Sequence, residues 1–208
     1  MPTFDFENCY PGVVAGIDEA GRGPLCGPVY AACVVLDRIN YPKNIDDSKK
    51  ISEKNREKIF EEILEFEQKG ILFYGAGLVE PGEIDKINIL NATKVAMAMA
   101  YGNLLEKYGI RVDMVLVDGN FVPNINTGAM ALVGGDGLSY SIACASLVAK
   151  VLRDRELRSM DSRYPQYGWI RNKGYGTAEH LEALERYGLV ENYHRKSFCR
   201  RFGPFSVV

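Results

Sequence analysis

Short apolar runs alternate with longer amphipathic segments along this chain of 208 residues, and this alternation constrains the fold most strongly. Runs of strand length are predicted at 13–18, 29–36, 71–79, 114–117 and 129–133. Helices are predicted between Ser52 and Gly70 and over 88–108, 139–158 and 177–187, with Ser52 and Thr177 as N-caps. This order of elements predicts an α/β fold with a hairpin-like start and later β-α-β crossovers.

The length fits a single domain over 1–208, with a small, helical and basic C-terminal part from about residue 160. The longest unbroken apolar run, Val29 to Leu36, has eight residues, which is far short of a membrane span. The first ten residues lack the basic start and long apolar segment of a signal peptide. We therefore expect a soluble, cytoplasmic, monomeric protein without a membrane partner.

The net charge of −2 conceals an asymmetry between the two parts of the chain. Residues 1–149 carry 13 Lys and Arg against 20 Asp and Glu, whereas 150–208 carry 12 against 7. A solvated surface is the usual explanation of such a bias. The bias also suits a protein that gathers cations at one place and phosphates at another.

The five cysteines are scattered, and they contain no C-x-x-C pair. This spacing suggests neither a disulfide framework nor a zinc site, and it favours small core residues for Cys33 and Cys144.

Acidic residues follow three of the predicted strands: Asp18 and Glu19 in GIDEAGRGP, Asp118 in LVDGN and Asp136 in VGGDG. Loops that leave an α/β sheet aim side chains into a crevice. Asp-Gly pairs are also common in turns, so Asp118 or Asp136 alone would favour a turn. Their coincidence at strand ends favours a cluster.

Clustered carboxylates repel one another unless a cation lies between them, so the pattern predicts bound divalent metal. Oxygen ligands favour Mg²⁺ or Mn²⁺, and two such ions can promote in-line attack on a phosphodiester. Neighbouring strand residues point to opposite faces, so Asp18 and Glu19 cannot both face one crevice unless the strand ends or twists between them. Asp18 is the better candidate for a metal ligand. Glu19 then contributes through its carbonyl or a bent geometry.

The chain resembles bacterial ribonuclease HII in eight ordered motifs: GIDEAGRGPLCGPV, DDSKKIS, LVDGN, GGD, ASLVAKVLRDR, YPQYGW, NKGYGT and HRKSF. The resemblance implies an RNase H-like fold, with a mixed five-stranded sheet flanked by helices and a small C-terminal helical part. It implies endonucleolytic cleavage of RNA in RNA/DNA hybrids. It also implies incision 5′ of single ribonucleotides in duplex DNA, leaving 3′-hydroxyl and 5′-phosphate ends.

The resemblance further implies that Asp18, Glu19, Asp118 and Asp136 are catalytic and bind Mn²⁺ or Mg²⁺, with Asp154 as an additional metal-binding acid. A helical ion pair between Lys150 and Asp154 explains Asp154 equally well.

By the same resemblance, the turn Gly21-Arg22-Gly23 senses the ribonucleotide, because glycines let the backbone approach a 2′-hydroxyl closely. Arg22 would contact a phosphate. Tyr175 would pack on the sugar beside the scissile phosphate and help to recognise an RNA-to-DNA junction. An exposed arginine, and a loop aromatic that anchors the C-terminal part, are the ordinary alternatives for Arg22 and Tyr175.

The resemblance also assigns phosphate contacts. Ser48 and Lys49 match its D-S-K loop, and Lys173, Arg195 and Lys196 would belong to a basic substrate surface. Ordinary solvent-exposed charge is the alternative for the last three.

Three positions depart from the pattern: Gly134 replaces a usual lysine, Asp46 an asparagine and Asn172 a frequent histidine. The first removes a cation near the metals or the phosphate. The other two make the substrate surface less basic, which predicts weaker or more salt-sensitive binding.

Two other functions are alternatives to this enzyme. An actin-like or sugar-kinase ATPase needs two large domains, for which 208 residues leave no room. A non-catalytic RNA/DNA hybrid-binding module would keep its affinity in EDTA and cleave nothing. All four matched acids are present, which favours the enzyme, and the sequence does not identify a sliding-clamp contact.

Overall fold

One mixed sheet of five strands organises the computed structural model, which describes residues 1–45 and 51–202. The strands are β1 Val14–Ala20, β2 Val29–Leu36, β3 Leu72–Val79, β4 Met114–Asp118 and β5 Gly128–Leu132. Their order in the sheet is β3-β2-β1-β4-β5, in which β2 is antiparallel to both β1 and β3, and β4 and β5 run parallel to β1. The predicted α/β class, the hairpin-like start and the mixed five-stranded sheet are confirmed.

The helices are α1 Asp5–Asn8, α2 Glu53–Gln68, α3 Pro81–Ile87, α4 Ile89–Tyr108, α5 Tyr140–Arg163, α6 Trp169–Asn172 and α7 Ala178–Tyr187. The side chains of Ser52 and Thr177 accept backbone N–H groups at the starts of α2 and α7, which confirms both N-caps. The sequence did not predict α1, α3 and α6, which are too short for a clear periodic pattern. Across the described ranges, no helix combines the length and apolarity of a membrane span.

Helices cover both faces of the sheet. Helix α4 packs against one apolar face, and α5 packs with α2 against the other. Gly16 brings α5 close to β1, because a Cβ at this position would lie 2.2 Å from the backbone carbon of Ser141. The backbone of α5 therefore lies directly over β1, the strand that carries two of the predicted catalytic acids.

The C-terminal part is built around Trp169, which is fully buried and stacked on Tyr167. Leu184 and Tyr193 join the same cluster, and so does Cys26 from the loop between β1 and β2. The loop that follows the first strand is therefore anchored in the C-terminal part of the chain.

Candidate active site

Two parallel strands bring the first acids together. Ile17 of β1 pairs with Val117 of β4, and Asp18 and Asp118 follow these partners on the two strands. The expectation that Asp18 ends its strand was wrong, because β1 continues to Ala20 through its pairing with β2. The pairing between β1 and β4 ends at Ile17 and Val117. The edge of β1 that faces β4 is therefore open beyond this pair.

Asp136 comes to the same place through a short 3-10 turn, Gly135–Gly137, between β5 and α5. The backbone N–H of Gly135 donates to Oδ1 of Asp118 over 2.7 Å. This bond joins the end of β4 to the turn after β5, which carries Asp136.

Asp18 and Glu19 line one cavity of about 230 Å³ together with Asp118. Asp18 is buried and accepts a hydrogen bond from Ser146 of α5. Glu19 is also largely buried, and its carboxylate lies 3.3 Å from the Arg22 guanidinium. Both neighbours thus border the same cavity, although their side chains leave the strand in opposite directions.

The electrostatics link all four acids. Burial raises the pKa of Asp18 well above its ordinary value, and the charges of Glu19 and Asp118 raise it further. Burial also raises the pKa of Glu19, where Arg22 opposes the effect and Asp118 adds to it. The pKa of Asp118 is raised by burial and then by Asp136. Such carboxylates resist ionisation until a cation joins them, and their oxygen donors suit Mg²⁺ or Mn²⁺.

Asp154 lies on α5 with its own cationic partners. Its Oδ1 accepts from the Lys150 ammonium at 2.6 Å, and its Oδ2 lies 3.5 Å from Arg56. These contacts favour the helical ion pair, and a metal-binding role for Asp154 stays a prediction.

The predicted ribose-sensing turn borders the same cavity. Gly21 has φ of +96°, and Arg22 and Gly23 are exposed. The ring of Tyr175 lies against Gly23, where an added Cβ would come within 3.3 Å of its Cε1. Because this ring is 49% exposed, one part of it supports the turn while the rest faces solvent.

The predicted phosphate contacts divide into three groups. Lys173 donates to Glu53 over 2.9 Å, so its ammonium already has an acidic partner. Ser48 and Lys49 lie outside the described residues, as does Asp46. The assignment of Arg195 to the basic surface was wrong, because its side chain is fully buried.

Two of the departures from the family pattern also find their places. Asn172 is buried, donates to Tyr167 O and accepts from Gly174 N, so the expectation that it changes the surface charge was wrong. Gly134 has φ of +69°, with nothing within 4 Å of the position of a Cβ.

Sequence reasoning missed three residues of α5 that line the cavity, namely Ser146, Lys150 and Arg153. They lie in the motif ASLVAKVLRDR, at spacings that place them on one helical face. This helical spacing was the signal in the sequence that could have identified these three residues. Burial lowers the pKa of Lys150.

Comparisons with known proteins agree with this geometry. The family model for ribonuclease HII matches residues 15–201. A ribonuclease HII of Wolbachia from Brugia malayi is 46% identical over 95% of this chain and 93% of its own. The enzyme of Caldicellulosiruptor bescii is 49% identical over 90% of this chain and 86% of its own.

Solved structures give the same answer. Ribonuclease H2 from Pyrococcus horikoshii superposes with a TM-score of 0.73 at 27% identity, covering 92% of this chain and 97% of its own. The ribonuclease HII in a PCNA complex from Archaeoglobus fulgidus gives 0.67 at 25% identity over 85% and 88%. Bst-RNase HIII in complex with Mn²⁺ gives 0.74 at 15% identity over 92% and 70%, which shows the fold alone.

The sheet and its acidic cavity define a hydrolytic endonuclease with the RNase H-like fold. Within that class, the chain belongs to the ribonuclease HII family, as its motifs predicted. It is therefore a ribonuclease, and the reading as a non-catalytic binding module is not favoured.

Proposed function

We propose that this endoribonuclease, which acts on RNA/DNA hybrids, also incises duplex DNA on the 5′ side of single embedded ribonucleotides, leaving 3′-hydroxyl and 5′-phosphate ends. The observation that carries the proposal is the meeting of three carboxylates with a glycine turn and a half-exposed tyrosine at one cavity, with the charge of Asp136 acting on Asp118 beside it. The acids can bind the metal ions that phosphodiester hydrolysis needs, and the glycine turn can contact the sugar.

The metal sites are proposed to be Asp18, Glu19, Asp118 and Asp136, loaded with Mn²⁺ or Mg²⁺. Mutual repulsion, burial and an all-oxygen donor set support this assignment. Divalent ions bound there would supply the positive charge that activates water and stabilises the leaving oxygen.

The chain's own residues prepare this chemistry. The N–H of Gly135 and the hydroxyl of Ser146 hold the carboxylates of Asp118 and Asp18 in fixed orientations. Arg22 lies 3.3 Å from Glu19 at the mouth of the cavity, where its charge can also attract a phosphate.

The sugar is proposed to lie between the turn at 21–23 and the ring of Tyr175. A ribose differs from deoxyribose there only in its 2′-hydroxyl, which both donates and accepts hydrogen bonds. Backbone groups of a glycine turn can approach that hydroxyl closely. We propose that the chain acts in the cytoplasm as a monomer.

A 5′-labelled DNA duplex with one ribonucleotide tests the proposal. We expect incision immediately 5′ of the ribonucleotide with Mn²⁺ or Mg²⁺, none in EDTA, and none on the matching all-DNA duplex. Cleavage of a long RNA/DNA hybrid without incision of this duplex would contradict the single-ribonucleotide activity. Binding to the hybrid in EDTA, with no cleavage under any condition, would favour the binding module.

A further inference from the structure

A buried arginine lies beneath the turn assigned to ribose recognition. The guanidinium of Arg195 donates to the carbonyls of Gly21 at 2.6 Å, Arg22 at 3.0 Å, Pro24 at 3.0 Å and Gly27 at 2.9 Å. Its side chain is fully buried, and its charge is therefore held largely by peptide dipoles. One side chain thus fixes four peptide groups across the whole loop between β1 and β2.

These bonds determine what the turn presents to the cavity. No peptide bond among the described residues is cis, and in a trans peptide the C=O and the next N–H point in opposite directions. Because the carbonyls of Gly21 and Arg22 point at Arg195, the N–H groups of Arg22 and Gly23 point away from it. The cavity is lined by this same turn.

The preceding residue, His194, reaches the other half of the proposed sugar site. Its Nδ1 accepts the N–H of Val190 at 2.8 Å, so its own proton is on Nε2 and is donated to Nε2 of His180 at 3.1 Å. His180 then donates from Nδ1 to the carbonyl of Tyr175 at 3.0 Å, while its Nε2 also accepts from Trp169. This chain of bonds ends on the backbone of the tyrosine.

The same histidines lie with Cys26 in a buried group that has the composition of a metal site. The hydrogen bonds argue against one. His194 already uses Nδ1 as an acceptor, so a metal on Nε2 would require removal of the remaining ring proton. The cluster is explained by its hydrogen bonds instead.

We propose that Arg195 is a positioning residue for ribose recognition, which orients the peptides of the turn so that the N–H groups of Arg22 and Gly23 face the sugar. With its neighbour His194 it also fixes the turn relative to Tyr175. This inference rests on the proposed function, because it assumes that the turn contacts the ribose.

Lysine is the informative replacement at this position. A guanidinium offers five donors in a planar fork, whereas an ammonium offers three from one nitrogen, so Arg195→Lys keeps the charge but cannot reach all four carbonyls. Ile63→Val is the matched control, because Ile63 is fully buried on α2 and its shortening destabilises the fold without touching the turn.

The first measurement is kcat/KM with Mn²⁺ on the duplex with one ribonucleotide. A misplaced contact to the substrate lowers the rate by up to about 100-fold. We expect kcat/KM of Arg195→Lys to be at least about 10-fold below that of wild type. Its affinity for a long hybrid in EDTA should stay within about threefold, since Arg22 is the only residue of this turn expected to contact a phosphate and its charge is kept. Ile63→Val should match wild type in both assays. Equal performance of Arg195→Lys and Ile63→Val would overturn the proposal.

The second measurement needs no activity. In ¹H–¹⁵N spectra of the metal-free protein, the amide signals of Arg22 and Gly23 should move in Arg195→Lys and remain in place in Ile63→Val. Unmoved signals would overturn the proposal. If the wild type incises no ribonucleotide substrate but these signals move, the proposed function fails while the hold of Arg195 on the turn stands. Should Arg195→Lys not fold, Arg195→Gln is examined by the same spectra.

Discussion

Two groups of buried titratable side chains lie on either side of the turn at 21–23, and their surroundings differ. On one side, burial raises the pKa of Asp18 and of Asp118, and neighbouring carboxylates raise both further. On the other side, Arg195 and the histidine pair are enclosed by carbonyls, ring nitrogens and a backbone N–H. Buried carboxylates that repel one another point to a missing ligand, whereas buried side chains that are hydrogen-bonded to protein groups are structural.

The largest effect should come from removing one charge of the acidic group. Asp118→Asn keeps the side-chain oxygen that can accept from Gly135, but it loses the charge that attracts a metal. We expect kcat on the hybrid to fall about 1000-fold, equivalent to about 4 kcal/mol, with hybrid affinity in EDTA nearly unchanged. Near-normal cleavage would remove Asp118 from the mechanism.

The next effect separates sugar recognition from hydrolysis. Tyr175→Ala removes a half-exposed ring that lies against Gly23. Aromatic stacking contributes about 1–3 kcal/mol, so we expect about a 30-fold loss of kcat/KM on the single-ribonucleotide duplex and a smaller loss on long hybrids. Tyr175→Phe, which keeps the ring, should retain most activity. Equal losses on both substrates would indicate a purely structural tyrosine.

Stability in EDTA should show the repulsion directly. Because the folded pKa of Asp18 is raised, its contribution to stability is present at low pH and is lost as pH rises through the raised value. Asp18→Asn should therefore unfold at higher urea than wild type at pH 8, by about 1 kcal/mol or more, with the gap closing near pH 4. Saturating Mn²⁺ should reverse the order. Parallel pH profiles would contradict the repulsion.

The histidine pair should show the opposite trend. Burial lowers the pKa of His180, and it lowers the pKa of His194 to about 3. Their contribution to stability is present above the unfolded value near 6.5 and is lost as pH falls towards the folded values. Between pH 6 and 4, the free energy of unfolding of His194→Gln should fall less steeply than that of wild type, by about 1 kcal/mol per pH unit. An unchanged slope in urea unfolding would show that His194 does not titrate in this way.

The smallest effect concerns the departure at Gly134. Gly134→Lys and Gly134→Ala both force a side chain into positive φ, so each should cost about 1 kcal/mol of stability. Only the lysine adds a cation. When log affinity for the hybrid is plotted against log salt concentration, we expect the slope for Gly134→Lys to be about one unit steeper than the slope for Gly134→Ala. Equal salt slopes for the two variants would place residue 134 outside the binding surface.

Local sequence rules located much of this molecule. The strand Val29–Leu36 was predicted to the residue, since a β-branched apolar run between prolines and a polar loop leaves little choice. Ser52 and Thr177 were identifiable as caps because their hydroxyls satisfy orphan N–H groups. Asp118 was found because a buried run ended in Asp-Gly.

Partnerships across the chain were beyond those rules. Arg195 and Lys173 both suggest a basic surface in sequence, yet one is fully buried and the other is paired with Glu53. Their partners lie more than a hundred residues away, so no local pattern could reveal them. The position of Asp18 inside β1 depended similarly on the pairing with β2, which continues to Ala20 beyond the last pair with β4.

Manganese binding, followed by electron paramagnetic resonance, tests most directly the claim that mutually repelling acids mark the metal site. Asp118→Asn and Asp154→Asn each remove one carboxylate charge, but only Asp154 is already paired with Lys150 and Arg56. The account predicts that Asp118→Asn weakens Mn²⁺ binding by at least about 10-fold and that Asp154→Asn stays within about threefold of wild type. Tight Mn²⁺ binding by Asp118→Asn, with loss in Asp154→Asn, would contradict it.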